Sequence, residues 1–580
     1  MYRYNDFDRR FVHQRAAQFR DQLERHLTGA LGDEEFRSLR LQNGWYVQRH
    51  APMLRVAVPY GELSSTQLRA LARIAREFDA KAGGPYESRG GGFGHFTTRQ
   101  NCQFNWIALD DAADVMDVLA DADMHGIQTS GNCIRNITSD CFAGVAADEI
   151  VDPRPYCEIL RQWSTLHPEF AFLPRKFKIA VNGASDDRAA TAWHDIGLTL
   201  MKNADGEVGF EVRVGGGMGR TPIVGTVVRD FLPWREILVF IEAVVRVYNR
   251  YGRRDNIYKA RIKILVKAEG QKFIDAVETE FRNMLERDVD GLAHLLSDAD
   301  LARVSAGFTA LPDGVAAVDI AHEVTAAPCS RPAAYVRWLE RNVHPHKLAG
   351  YRAVTLSLKR AGQPPGDASA EQMDLAAELA DRFSAGELRV SHDQNLVLPW
   401  VRANELSALW QAAREDGFAT PNIGYLTDMI ACPGGDLCAL ANARSIPIAA
   451  AITGRFDDLD ELHDIGDIDL HISGCINSCG HHHSGHIGIL GVDKDGMEWY
   501  QVSLGGADGT LLSGASMAGK VIGPSFAADE VPDVIEAVID TYRAERSGSA
   551  ERFITTVRRV GLDPFKAAAN AVRRSTAVHA

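Results

Sequence analysis

Gln100-Asn101 stands six residues before Trp106, and Gln394-Asn395 stands six residues before Trp400, so the two patterns are 294 residues apart. A similar order of elements leads up to each. Residues 54–58 read as a strand and 96–106 as a second strand. Between them, 67–78 reads as a helix with Leu68, Leu71, Ile74 and Ala75 on one face. Residues 351–358, 372–383 and 388–400 repeat that strand–helix–strand order. The helices are 305 residues apart, so the first copy carries 11 extra residues, which the glycine-rich stretch 82–94 supplies as a loop insertion. A repeat near half the chain is too long for a solenoid. It predicts two similar α+β modules related by a pseudo-twofold axis.

Ahead of the first copy, residues 8–30 read as an amphipathic helix through Phe11, Ala16, Phe19, Leu23 and Leu27, followed by a turn at Gly32-Asp33. Among 580 residues, 63 basic and 77 acidic side chains give a net charge of −14, which argues against a nucleic-acid partner. The start of the chain has no apolar leader, and no apolar run approaches a membrane span. A cytoplasmic location is the expectation.

Nine cysteines in such a chain do not read as a disulfide framework. Five are scattered. The other four form two pairs, Cys432 and Cys438 with five residues between, and Cys475 and Cys479 with three. Four thiolates among turn-forming glycines make a soft-metal site. Gly434, Gly435, Gly474 and Gly480 let the backbone approach a bulky group. Structural zinc is the rival reading, but its pairs usually hold two to four intervening residues, and a cubane separates its ligands more widely. The consecutive His481, His482 and His483 read as local hydrogen bonding or surface exposure, because neighbouring side chains rarely reach one ion.

This cysteine spacing resembles the signature of the assimilatory sulfite and nitrite reductase family. The resemblance covers about residues 40–560 and is closest to the sulfite reductase hemoprotein. It implies siroheme and a [4Fe–4S] cluster as cofactors, with Cys432, Cys438, Cys475 and Cys479 on the cluster and Cys479 bridging to the siroheme iron. Three further motifs look like the family's basic substrate set. These are Thr97-Thr98-Arg99-Gln100, Gly131-Asn132-Cys133-Ile134-Arg135-Asn136 and Arg175-Lys176-Phe177-Lys178. In the last, Lys176 and Lys178 share one strand face, and two such lysines repel unless an anion sits between them. Arg99, Arg135, Lys176 and Lys178 are therefore expected to bind substrate and deliver protons. Gln100, Asn477 and Arg55 are expected to contact siroheme, with Arg49 a further candidate. The stretches 214–220 and 504–506 look like paired glycine-rich segments near the cofactor, and 214–220 lacks dinucleotide-loop spacing.

The resulting expectation is an internally duplicated α+β chain. A helical arm (1–45) precedes a ferredoxin-like half module (46–115) and a larger α/β siroheme- and substrate-binding module (116–285). A connector (286–345), a second half module (346–410) and a cluster- and siroheme-binding α/β module (411–580) follow. The expected reaction is six-electron reduction of sulfite to sulfide in sulfur assimilation, with nitrite reduction to ammonia as the alternative. Nitrite-reducing relatives tend to carry Asn at the place of Lys178, and a further cation suits the dianion sulfite over the monoanion nitrite. The chain shows no flavin or nicotinamide domain, so a separate donor is expected, either ferredoxin or a flavoprotein reductase. The rival class is an electron-transfer iron–sulfur protein without siroheme, which needs neither the basic set nor this length.

Overall fold

The structure is a computed structural model that describes residues 1–48, 52–79, 92–170, 172–287, 293–309 and 332–574. Arg49 and most of the 82–94 insertion lie outside the described residues. The chain is α+β and internally duplicated. Its first helix is Asp6–Leu27. The expected turn at Gly32-Asp33 instead starts a second helix, Asp33–Gln42, where the Glu35 carboxylate accepts the Gly32 N–H at 3.0 Å. Three acidic residues in that first turn complement the helix dipole.

The two half modules exchange strands. One sheet runs Trp45–Val47, Pro52–Val56, Cys102–Phe104, Phe93–Phe96, and is completed by Asp367–Ser369 from the second copy. The other runs Val343–His344, Tyr351–Leu356, Leu396–Arg402, Glu387–Val390, and is completed by Glu62–Ser64 from the first. Each exchanged strand leads straight into a helix through a capping box. Ser64 and Gln67 bond each other's backbone N–H at the start of Ser65–Glu77, and Ser369 and Gln372 do so at the start of Ala370–Phe383. One apolar core runs through both modules, from Leu54, Leu63 and Phe104 to Leu356, Leu388 and Leu398.

The long strands expected over 96–106 and 388–400 are each two antiparallel strands joined by a tight turn. The turns close at Gln100 (φ 55°) and Gln394 (φ 61°). Both glutamines reach across the pseudo-twofold. Gln100 Nε2 donates to Ser139 O and to Val390 O of the other copy, each at 2.9 Å. Gln394 Nε2 donates to Ala431 O at 3.0 Å and to Phe96 O of the other copy at 3.1 Å. The repeated Gln-Asn pattern is therefore a clamp between the halves.

Each half module is followed by a mixed sheet. The first runs Thr138–Ser139, Ile179–Asn182, Ile196–Lys202, Val208–Val214 and Thr226–Pro233. The second runs Ile430–Ala431, Leu470–Ser473, Ile487–Lys494, Met497–Leu504 and Lys520–Val521. In both, the first two pairings are parallel and the third antiparallel. Parallel strands bring their C-terminal ends to one edge, where loops can gather functional side chains. The described part of the connector holds the helices Asp298–Ser305 and Ala333–Arg341. No helix among the described residues is long and apolar enough to cross a membrane.

Candidate functional site

The cysteines lie on loops at the ends of two parallel strands. Cys432 follows Ile430–Ala431, and Cys475 and Cys479 follow Leu470–Ser473. The wrap is tight. A Cβ on Gly474 would lie 2.5 Å from Ala443 O, one on Gly434 2.4 Å from Ser445 N, and one on Gly480 closer still to Ile472 O. Gly474 N–H donates to Cys432 Sγ at 3.2 Å, and Ser445 Oγ lies 3.5 Å from it. Burial and the Cys479 thiolate push the Cys432 thiol up to about 12. Cys438 and Cys475 are raised in the same direction, first by burial. Crowded thiols of this kind need metal charge to stay ionised. Four thiols on two glycine-lined loops suit a soft-metal cluster.

Cys479 is exposed within its surroundings and faces the first half of the molecule. Its carbonyl accepts Thr98 Oγ1–H at 2.9 Å, which fastens the Arg99 turn to the cysteine loop. Arg99 sits on that turn, one residue before Gln100, and not on a strand as its motif suggested. Its guanidinium donates to Thr138 Oγ1 and Asn136 O, each at 2.7 Å, and also bonds His194 Nε2. Burial lowers it to about 9. Arg135 is held on its own turn, donating to Thr129 O at 2.7 Å and to Gly131 O at 2.8 and 3.1 Å.

Lys176 and Lys178 flank Phe177, which is fully buried, so the alternation expected of an extended segment holds. Neither ammonium has a hydrogen-bond or carboxylate partner among the described residues. Lys176 is lowered to about 8, first by burial and then by Arg135 and Arg261, against a raising pull from Cys479. Lys178 is held well below the usual lysine range by burial, Lys176, Arg99 and Arg261. Both lysines thus feel the Cys479 sulfur and each other. Two half-buried, unpaired ammoniums beside arginines make a place that an anion would stabilise.

Several neighbours carried no motif that singled them out. Arg261 makes a two-pronged pair with fully buried Asp195, at 2.7 and 2.8 Å from one nitrogen, and Asp195 also accepts the Lys178 N–H at 2.8 Å. Lys263 donates to Met218 O and Thr221 O at 2.5 and 2.6 Å, behind the 214–220 loop. Tyr46 lies under Arg55, whose guanidinium is 5.3 Å from the ring centre. Burial pushes the Tyr46 phenol up, but Arg135 and Arg55 outweigh it and bring it down to about 8. The signal available in the sequence was the density of Arg and Lys over 250–263, without a partner to give it meaning.

The remaining expected contacts divide. Arg55 donates to Gln103 Oε1 at 2.9 Å and to Thr129 O at 3.2 Å, beside Arg135. Asn477 is exposed between the two cysteines of its pair. Gln100 is fully buried and its amide is used on Ser139 and Val390. Both amide hydrogens are thus engaged between the halves, and Oε1 accepts the Ser139 N–H at 3.0 Å. The histidine run is largely internal. His482 is 2% exposed, and His483 Nε2 bonds Gly219 O at 2.9 Å across the two halves.

Arg135, Arg261, Lys176 and Lys178 gather here while Asp195 pairs with Arg261, and such an excess of cations suits a cofactor rich in carboxylates together with a small anionic substrate. Residues 130–285 and 426–574 match the family described as nitrite and sulphite reductase 4Fe-4S domain. Residues 46–122 and 350–416 match the nitrite/sulfite reductase ferredoxin-like half domain. The assimilatory ferredoxin-dependent nitrite reductase of Haloferax mediterranei is 28% identical over 508 residues, covering 85% of this chain and 80% of its own. Sulfite reductase [ferredoxin] 1 of Mycolicibacterium paratuberculosis is 25% identical over 507 residues, covering 85% and 80%. The solved structure of the Mycobacterium tuberculosis NirA protein shares the fold, with a TM-score of 0.74, 24% identity and 94% of each chain covered.

Proposed function

The chain belongs to the nitrite and sulphite reductase family, and we propose that within it the substrate is sulfite. The family's cofactors are siroheme and a [4Fe–4S] cluster, which bind the anion at iron and supply electrons to it. We assign Cys432, Cys438, Cys475 and Cys479 to the cluster, with Cys479 shared with siroheme, and Asn477 and Arg55 to siroheme contacts. Electrons reach the site from ferredoxin in this reading, as the names of the relatives suggest for those proteins.

The observation that carries the sulfite reading is the unpaired state of both Lys176 and Lys178. Sulfite reduced to sulfide takes up six electrons, loses three oxygens as water and needs at least six protons. Arg99 and Arg135 are fixed by backbone and side-chain acceptors, so they hold charge in a set position. The two lysines are depressed in pKa by burial and neighbouring cations, so each gives up a proton more readily than an exposed lysine. Two such donors beside two fixed cations suit a dianion with three oxygens to remove.

Steady-state kinetics with a reduced viologen as donor test this without the natural partner. We expect a higher kcat/KM for sulfite than for nitrite. We expect Lys178→Asn to lower sulfite turnover far more than nitrite turnover. A wild-type preference for nitrite, or equal losses on both anions, would move the substrate to nitrite and leave the family unchanged.

A further inference from the structure

Away from the basic pocket, three side chains from separate segments converge. Glu242 lies within the helix Ile237–Tyr251 and is 1% exposed. His167 follows the helix Arg154–Ser164, just after Leu166 at φ 55°. His294 precedes the helix Asp298–Ser305. One ring nitrogen from each histidine and a Glu242 oxygen all lie within 4.8 Å of one another.

The contacts inside this group leave two facing atoms without a hydrogen bond. Arg246 Nη2 donates to Glu242 Oε1 at 2.8 Å. The other oxygen, Oε2, stands 2.8 Å from His294 Nδ1. The angles there are not those of a hydrogen bond, and both atoms are buried with no hydrogen-bond partner among the described residues. Leaving two facing polar atoms in that state is costly.

We propose that His167, Glu242 and His294 bind one divalent transition-metal ion of zinc's class, with water as a fourth ligand. Two imidazoles and one carboxylate are the donor set such an ion takes, whereas magnesium and calcium favour oxygen alone. Arg246 fixes the carboxylate from behind, the role an outer partner has at metal sites. Trp163 and Phe170 shield the group, with ring centres 4.7 Å apart and Phe170 stacked 4.0 Å from His167. His167 Nδ1 accepts the Glu169 N–H at 3.2 Å. A neutral imidazole has one in-plane lone pair, so ligation through either nitrogen ends that contact. The side chain of His294 is 23% exposed, which gives an ion a way in. The ion would tie the residues just ahead of the substrate lysines to the helix behind them. The same stretch is already fastened there by Asn249 Nδ2 to Glu169 O, at 2.9 Å.

Metal analysis of the cofactor-loaded enzyme after zinc incubation and desalting tests the site. We expect one zinc per chain in addition to iron. His167→Gln and His294→Gln should each lose that zinc while iron content and cofactor absorption stay unchanged. X-ray absorption at the zinc edge of the wild-type enzyme should report nitrogen and oxygen ligands and no sulfur, a readout that does not depend on the variants folding. No retained zinc in the wild type, zinc kept by both variants, or sulfur ligands in the spectrum would each overturn the proposal.

Discussion

Lys176 and Arg135 have the same charge and different freedom. Arg135 gives three hydrogen bonds to its own turn, whereas the Lys176 ammonium has no partner among the described residues. Removing a cation that stabilises developing charge costs on the order of 10²-fold in rate. We therefore expect Lys176→Ala to lower sulfite kcat by that order with the cofactor absorption preserved. We expect Arg135→Ala to lower turnover as well and also to loosen residues 129–135. Thermal melting separates the two, since only the Arg135 variant should lose stability. Near-native turnover in both would leave them as framework residues. At this scale the residue types were legible and their partners were not. Arg-Lys-Phe-Lys announced a basic face, but nothing in the sequence said that Arg261 would be tied to Asp195 while the lysines stayed unpaired. The partners of Gln100 were hidden in the same way. A polar residue in a repeated motif suggests a ligand contact, and here its acceptors and donors are backbone groups of strands far away in the chain.

The strands Glu62–Ser64 and Asp367–Ser369 show what short-range pattern leaves out at the level of elements. Each is three residues long and pairs only with the other copy's sheet, in the registers Leu63 with Leu388 and Ala368 with Gly94. Alternation over three residues carries no signal of its own, and the partner lies about 300 residues away. The helices after them were legible because their apolar faces repeat, as at Leu68, Leu71 and Ile74. The single strands expected over 96–106 and 388–400 failed for a local reason, because Gln100 and Gln394 adopt positive φ and reverse the chain. Exchange has an energetic consequence, since each half module's sheet is complete only while the other is folded. Leu63 is fully buried in the core common to both. We expect Leu63→Ala to cost roughly 2–5 kcal/mol and to shift one unfolding transition that involves both modules. Calorimetry that resolved two separate transitions, with only one moved, would contradict this coupling.

Across the whole molecule the duplication has kept its geometry and inverted its chemistry. Lys178 and Asp469 each immediately precede the second strand of their mixed sheet, and each carbonyl accepts an N–H from the next strand, at 3.1 Å from Ile196 and 3.0 Å from Ile487. By the same register Arg99 corresponds to Asp393, Cys432 to Asp140 and Cys479 to Arg188. Where one half has four cysteines, the other has an ion network. Arg188 bonds Asp140 at 2.7 and 2.9 Å, Asp148 at 2.9 Å and Asp186 at 3.3 Å, over the face of Phe142. Where one half gathers cations, the other gathers acids. Burial, Asp428 and Asp469 push the Asp393 carboxyl up to about 7. The counterpart positions thus carry carboxylates tied to Arg188 in place of the unpaired cations. Asp140 is 1% exposed, and taking away its cation leaves a buried charge uncompensated. Breaking a buried pair in this way typically costs about 3–5 kcal/mol. We expect Arg188→Met to lose stability of that order in urea unfolding, and Arg188→Met with Asp140→Asn to recover a large part of it. Turnover per cofactor-loaded chain should stay near wild type in both variants, because neither residue faces the lysines. If the single variant were as stable as the wild type, the network would not be what holds these loops. If the single variant instead kept its stability and lost turnover, Arg188 would belong to the working site on the other side of the axis.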